Sequence, residues 1–152
     1  MAKEFFGERL HEEYEDVFDF FEIIPSNVNT NMEYESVYIC GWIIRVFSFV
    51  FITEGVSGLE DGLSFCEVAL WENCLEKLNK FLDVKHFDDG VKMLGKKLNS
   101  PYEQFQRQIL INSKELIEEE KEEIKKVVSQ MISWIKLHNG EYNMLTFVDM
   151  LH

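Results

Sequence analysis

At 152 residues the chain has the length of one ordinary domain, enough to bury a sizeable core without disulfides or metal. Its 46% hydrophobic residues and thirteen Phe exclude intrinsic disorder. A formal net charge of −13 excludes a surface built for nucleic-acid phosphates or anionic lipid and predicts attraction to basic surfaces. The charge is uneven: residues 1–36 hold ten acids against Lys3 and Arg9, a net of −8. MAKEFFGERL lacks a positive region followed by an apolar one, and Cys40, Cys66 and Cys74 are odd in number and fall in apolar patterns, as reduced core thiols do. A cytoplasmic location is the expectation.

The first predicted element is a helix over 3–23. Phe6, Leu10, Tyr14, Val17, Phe21 and Ile24 recur every three or four residues as an apolar stripe. Opposite them lie Glu4, Glu8, Glu12, Glu15, Asp19 and Glu22, a row of like charges with no interleaved lysine. Like-charge pairs one turn apart cost a helix roughly 0.2 to 0.5 kcal/mol each. A solvated face explains any single Glu; the unrelieved row suggests a cationic partner. Pro25 ends this helix, Ser26 to Asn31 reads as a polar loop, and Asn31 reads as the cap of the next helix.

That next helix is the expected centre of the fold. Val37 to Ile52, VYICGWIIRVFSFVFI, carries one charge, Arg45. Its β-branched and aromatic residues suit a strand, but Gly41, Arg45 and Ser48 lie four and three apart, on one helical stripe, and sixteen residues is long for a strand. The run is too short and too closely flanked by Glu33, Glu35 and Glu54 for a membrane span. A buried central helix over about 36–53 follows. Gly55 to Gly62 reads as an interhelical turn, since it lacks a phosphate-loop pattern and carries Glu60 and Asp61.

A third helix is predicted over Leu63 to Leu82, with Phe65, Cys66, Ala69, Leu70, Leu75, Leu78, Phe81 and Leu82 inward and Trp71 at its edge. Val91 to Leu98 reads as a short basic helix, and Ser100, Pro101 and Glu103 form a capping box that opens another helix to Ile111. The last long helix, Lys114 to His138, turns Ile124, Val127, Val128, Met131, Trp134 and Ile135 inward and interleaves Glu with Lys outside. Asn139 and Gly140 cap it, and Glu141 to Leu151 is expected to dock as a terminal helix. The sum is an all-α fold: residues 1–152 as a single compact bundle of six or seven helices.

No catalytic set emerges. His11, His86, His138 and His152 lie outside the common histidine motifs. Glu8 with His11 and Asp83 with His86 faintly suggest carboxylate-bridged iron, but inward Glu on two further helices is lacking, so no metal and no cofactor is expected. Arg45 must meet an acid or reach water, in a structural or a functional role.

These readings predict a non-enzyme: an acidic protein that neutralises a basic partner, with an immunity protein or antitoxin blocking a nuclease toxin as its leading form. The expected partner-binding residues are Glu4, Glu8, Glu12, Glu15, Asp19 and Glu22, with Tyr14, Tyr34 and Trp71 as aromatic anchors. The alternative is a helical-groove interaction protein of the viral cell-death-regulator type, although the NWGR signature of such grooves is missing.

Overall fold

The computed structural model describes residues 4–15, 19–47, 50–51, 54–59, 62–82, 118–138 and 140–150. The basic helix at 91–98, the capping box at 100–103, the helix to Ile111 and the Asp83–His86 pair lie outside these residues.

The all-α expectation is overturned: a six-stranded mixed sheet forms the centre of the molecule. Its strands are β1 (Phe5–Phe6), β2 (Phe20–Asn27), β3 (Met32–Glu33), β4 (Val37–Cys40), β5 (Leu63–Glu67) and β6 (Met144–Asp149). They run in the order β1-β4-β2-β6-β5, with β3 paired to β2. β1 lies parallel to β4 and the remaining pairs are antiparallel. The helices are α1 (Glu8–Tyr14), α2 (Gly41–Val46), α3 (Val68–Leu82) and α4 (Glu118–Leu137).

Two of the expected helices give way for local reasons. In β2 the sequence FFEIIPSN alternates, with Phe21, Ile23 and Pro25 buried and their neighbours half-buried. That is the period of a strand facing a core on one side. Pro25 sits within β2 without ending it. Its carbonyl accepts Tyr34 N–H at 2.9 Å, and its missing N–H falls opposite Tyr34, where the neighbouring chain has left β3 and not yet begun β4. The predicted loop from Ser26 becomes the β2–β3 hairpin. There Asn27 Oδ1 accepts the N–H groups of Asn29 and Thr30, and Asn31 adopts φ 58° as a turn residue, not a helix cap.

The apolar run after Val37 divides at Gly41 into β4 and the short α2. A Cβ at position 41 would lie 1.6 Å from the backbone oxygen of Asp19. Gly41 is therefore where the chain passes against the start of β2 and turns from strand into helix. The expected terminal helix is instead β6, which turns Leu145 and Phe147 inward and pairs with β2 from Phe21↔Asp149 to Ser26↔Met144.

The core lies on one face of this sheet. Phe6, Phe21, Ile23, Ile39, Leu145 and Phe147 meet Trp71, Cys74, Leu75 and Leu78 of α3 and Ile124, Val127, Met131 and Trp134 of α4. Ring contacts fix the layers, with Trp71 at 4.6 Å from Phe147 and Phe6 at 5.9 Å from Trp134. Each such side chain contributes about 1.5 to 3 kcal/mol by burial. α4 and the C-terminal part of the third predicted helix stand as expected. Its first residues form β5, whose pattern is inverted: Leu63 and Phe65 are exposed while Ser64 is buried and donates to Ser57 O. Among the described residues no helix is long and apolar enough to cross a membrane.

Cys40, Cys66 and Cys74 are free and buried. Burial pushes their thiols up from 9.0, to about 11 for Cys40 and Cys66 and about 12 for Cys74. Because the thiolate is the reactive form, alkylation at mild pH is expected to run at least about 100-fold slower in the native than in the denatured protein. The rate of iodoacetamide labelling with and without denaturant measures this. The same shifts set a sign for stability. The unfolded thiols ionise from pH 9 while the folded ones keep their protons to about pH 11, so this contribution is whole below pH 9 and is lost as pH rises beyond it.

Candidate functional site

Four segments far apart in sequence meet at one end of the sheet. β1 runs beside β4, and Tyr38 N–H donates to Glu4 O at 2.9 Å, which sets Glu4 next to the linker of Tyr34, Glu35 and Ser36. The last turn of α4 brings Trp134, Leu137 and His138 to the same place. Beyond it Glu141 N–H donates to His138 O at 3.0 Å, and Asn143 N–H to Ser26 O at 3.0 Å, which pins the turn that carries Glu141 and Tyr142. Together they enclose a cleft of about 400 Å³.

Rings and carboxylates make up most of its wall. Tyr142 lies 5.4 Å from Trp134, 5.6 Å from His138 and 5.7 Å from Tyr34, centroid to centroid. Glu4, Glu35 and Glu141 share the lining with these rings, and among the described residues no lysine or arginine does. Glu141 Oε2 is 3.0 Å from His138 Nδ1, whereas Glu4 and Glu35 have no ion-pair partner among the described residues. Tyr142 is only 6% exposed and its hydroxyl has no hydrogen-bond partner among the described residues. Burial raises the pKa of this phenol, and the negative charges of Glu141 and Glu4 raise it further. Across the wall formed by His138 and Tyr142 lies a second depression of about 440 Å³, lined in part by Glu67 and Glu72 and, among the described residues, again by no lysine or arginine. This end of the molecule offers negative potential, aromatic faces and an unused hydroxyl, the chemistry that receives an organic cation.

The predicted row of acids is not a row. Glu4 precedes β1, Glu8 and Glu12 stand exposed on α1, Glu15 follows α1, Asp19 precedes β2, and Glu22 lies within β2. Glu22 accepts a hydrogen bond from Ser36 Oγ at 3.0 Å. Of the predicted residues only Glu4 and Tyr34 meet, both in the cleft. Tyr14 is committed inside the molecule: its ring stacks on Trp42 at 5.1 Å and its hydroxyl donates to Glu120 Oε1 at 3.2 Å. Burial, then the carboxylates of Glu120 and Glu13, push its phenol to about 12. Trp71 is fully buried under β6 and serves the core, not an interface.

His11 packs against the rings of Phe5 and Phe20, and among the described residues no group of three His, Cys, Asp or Glu is placed to hold a metal ion. The sequence reading missed Glu35, Trp134, His138, Glu141 and Tyr142. Their one local signal is the turn from His138 to Tyr142, where a glycine-bearing helix end sets an acid beside two rings. No family model, curated protein or solved structure matches this chain, so the geometry of this cleft is what carries a functional reading.

Proposed function

We propose that the chain is an acidic binding protein that neutralises a basic protein partner, and that an immunity protein or antitoxin against a nuclease toxin is the form that fits best. One observation carries the reading: an aromatic cleft rimmed by Glu4, Glu35 and Glu141 with, among the described residues, no lysine or arginine in its lining. It replaces the helical acid row, which β2 breaks. A nuclease must keep its active site electropositive to hold phosphates, and a carboxylate-rimmed cleft complements such a surface. Leu137, 79% exposed on the rim, adds the apolar contact that protein interfaces place beside their charges. A cytosolic home suits three free buried thiols. The helical-groove alternative needs a buried central helix, and β4 takes part of that place.

Against a panel of basic toxin nucleases, tight binding to at least one member is expected, with an association rate that falls tenfold or more between about 50 and 300 mM salt. Neutralising Glu4, Glu35 and Glu141 together to Gln is expected to slow association more than neutralising Glu8 and Glu12. Binding to none of the panel, or binding indifferent to salt, overturns the reading.

A further inference from the structure

We infer that the cleft is a receptor for a single guanidinium group, an arginine side chain presented by the basic partner. The inference rests on the reading of the chain as a binder of a basic protein and names the group that this site takes. Two independent observations support it. The first is charge: three carboxylates share a cavity of about 400 Å³ with four rings, and among the described residues only Glu141 has a cationic candidate at hand, His138 at 3.0 Å. The second is Tyr142, which lines the same cavity and whose buried hydroxyl has no hydrogen-bond partner among the described residues. An oxygen left this way costs about 1 to 3 kcal/mol and is found where a ligand, or a role in function, compensates.

The choice of arginine over lysine follows from shape and hydration. A guanidinium is flat and carries five N–H donors in a fixed fork. It therefore reaches carboxylates on more than one side of the cleft and the Tyr142 oxygen together, while its plane lies against the ring wall that half-buried Tyr34 leaves accessible. An ammonium concentrates three donors at a point and gives up more hydration on entering an aromatic cavity.

Blocked tripeptides with a central arginine, lysine or citrulline, titrated into the full chain and followed by tryptophan fluorescence, test this, because Trp134 lines the cleft. The arginine peptide is expected to bind in the millimolar range, the lysine peptide at least about fivefold more weakly, and neutral citrulline not at all. Tyr142→Phe keeps the ring and removes the orphaned oxygen. It is expected to leave the unliganded protein as stable as before or more so, while weakening the arginine peptide about fivefold. Equal binding of lysine and arginine, binding of citrulline, or no effect of Tyr142→Phe on the arginine peptide overturns the inference. If the peptides fail while a basic nuclease still binds in a salt-dependent way, the guanidinium receptor is wrong and the acidic-binder reading stands. Loss of both removes the two together.

Discussion

Gly41→Ala is expected to cost the protein about 4 kcal/mol or more, at the extreme of single substitutions. The added methyl carbon would sit 1.6 Å from the Asp19 carbonyl oxygen and 2.7 Å from its carbon, distances that no rotamer relieves because Cβ has none. The obstacle is backbone, and that backbone is the entry to β2, which pairs with β3, β4 and β6. Moving Asp19 away disturbs the ladder at Phe20↔Cys40, and moving Gly41 disturbs the start of α2, so strain spreads into the core whichever side yields. Chemical denaturation reads the loss as a lower midpoint. If Gly41→Ala unfolds within about 1 kcal/mol of the parent, the close approach of the two segments is wrong, because no accommodating movement there is so small.

The second large effect belongs to Arg45. Its guanidinium extends from α2 to donate to Asp149 Oδ2 through Nη2 and to Leu59 O at 2.9 Å through Nη1, and it lies 5.1 Å from the ring centroid of Phe21. Asp149 is the inward-facing end of β6, with a side chain 4% exposed and an Oδ1 that has no partner among the described residues. The charge that the apolar run carries is thus matched by an acid 104 residues away, and the pair ties α2 to the last strand. Arg45→Met strands a buried carboxylate and is expected to destabilise by about 3 to 5 kcal/mol. Asp149→Leu strands the guanidinium and belongs in the same range, softened because the Leu59 bond and partial exposure remain. The double substitution is expected to return to within about 2 kcal/mol of the parent, since a well-packed apolar pair often replaces a buried ion pair without loss. Full additivity of the two single losses in urea denaturation contradicts the pairing.

This contact shows where sequence reasoning reached and where it stopped. That Arg45 needs an acid follows from burial alone; which acid depends on β6 lying beside β2, and nothing local announces that. α4 was legible because Ile124, Val127, Val128, Met131, Trp134 and Ile135 repeat with a helical period over about three turns and all are buried. β2 was not, because FFEIIPSN is so apolar that Phe21 and Ile24 satisfy a helix as readily as Phe21 and Ile23 satisfy a strand. The run from Val37 misled through Gly41, whose spacing from Arg45 suggested a helical stripe while its real constraint is the Asp19 backbone. In the last segment Leu145 and Val148 have a helical spacing, whereas Leu145 and Phe147, both fully buried, have the spacing of a strand.

The cleft was legible only in part for the same reason. Glu4 and Tyr34 were singled out for charge and aromaticity, yet their convergence with Trp134 and Tyr142 comes from long-range pairing: Phe5↔Tyr38 sets one wall and Ser26↔Met144 the other. Trp134 looked like core, and at 8% exposure it is core as well as wall.

β5 has a bearing on how the molecule behaves in a crowd. It is the terminal strand of the described sheet order, and it holds Leu63 and Phe65 out to water at 48% and 64% exposure. A ladder edge that is open among the described residues and flanked by greasy side chains is a template for another chain to join. Copies that each carry −13 repel before that edge can be used, so colloidal stability is borrowed from electrostatics and shrinks as the solution nears the isoelectric point of about 4.7. The acidity that suits a cationic guest therefore doubles as protection against self-association.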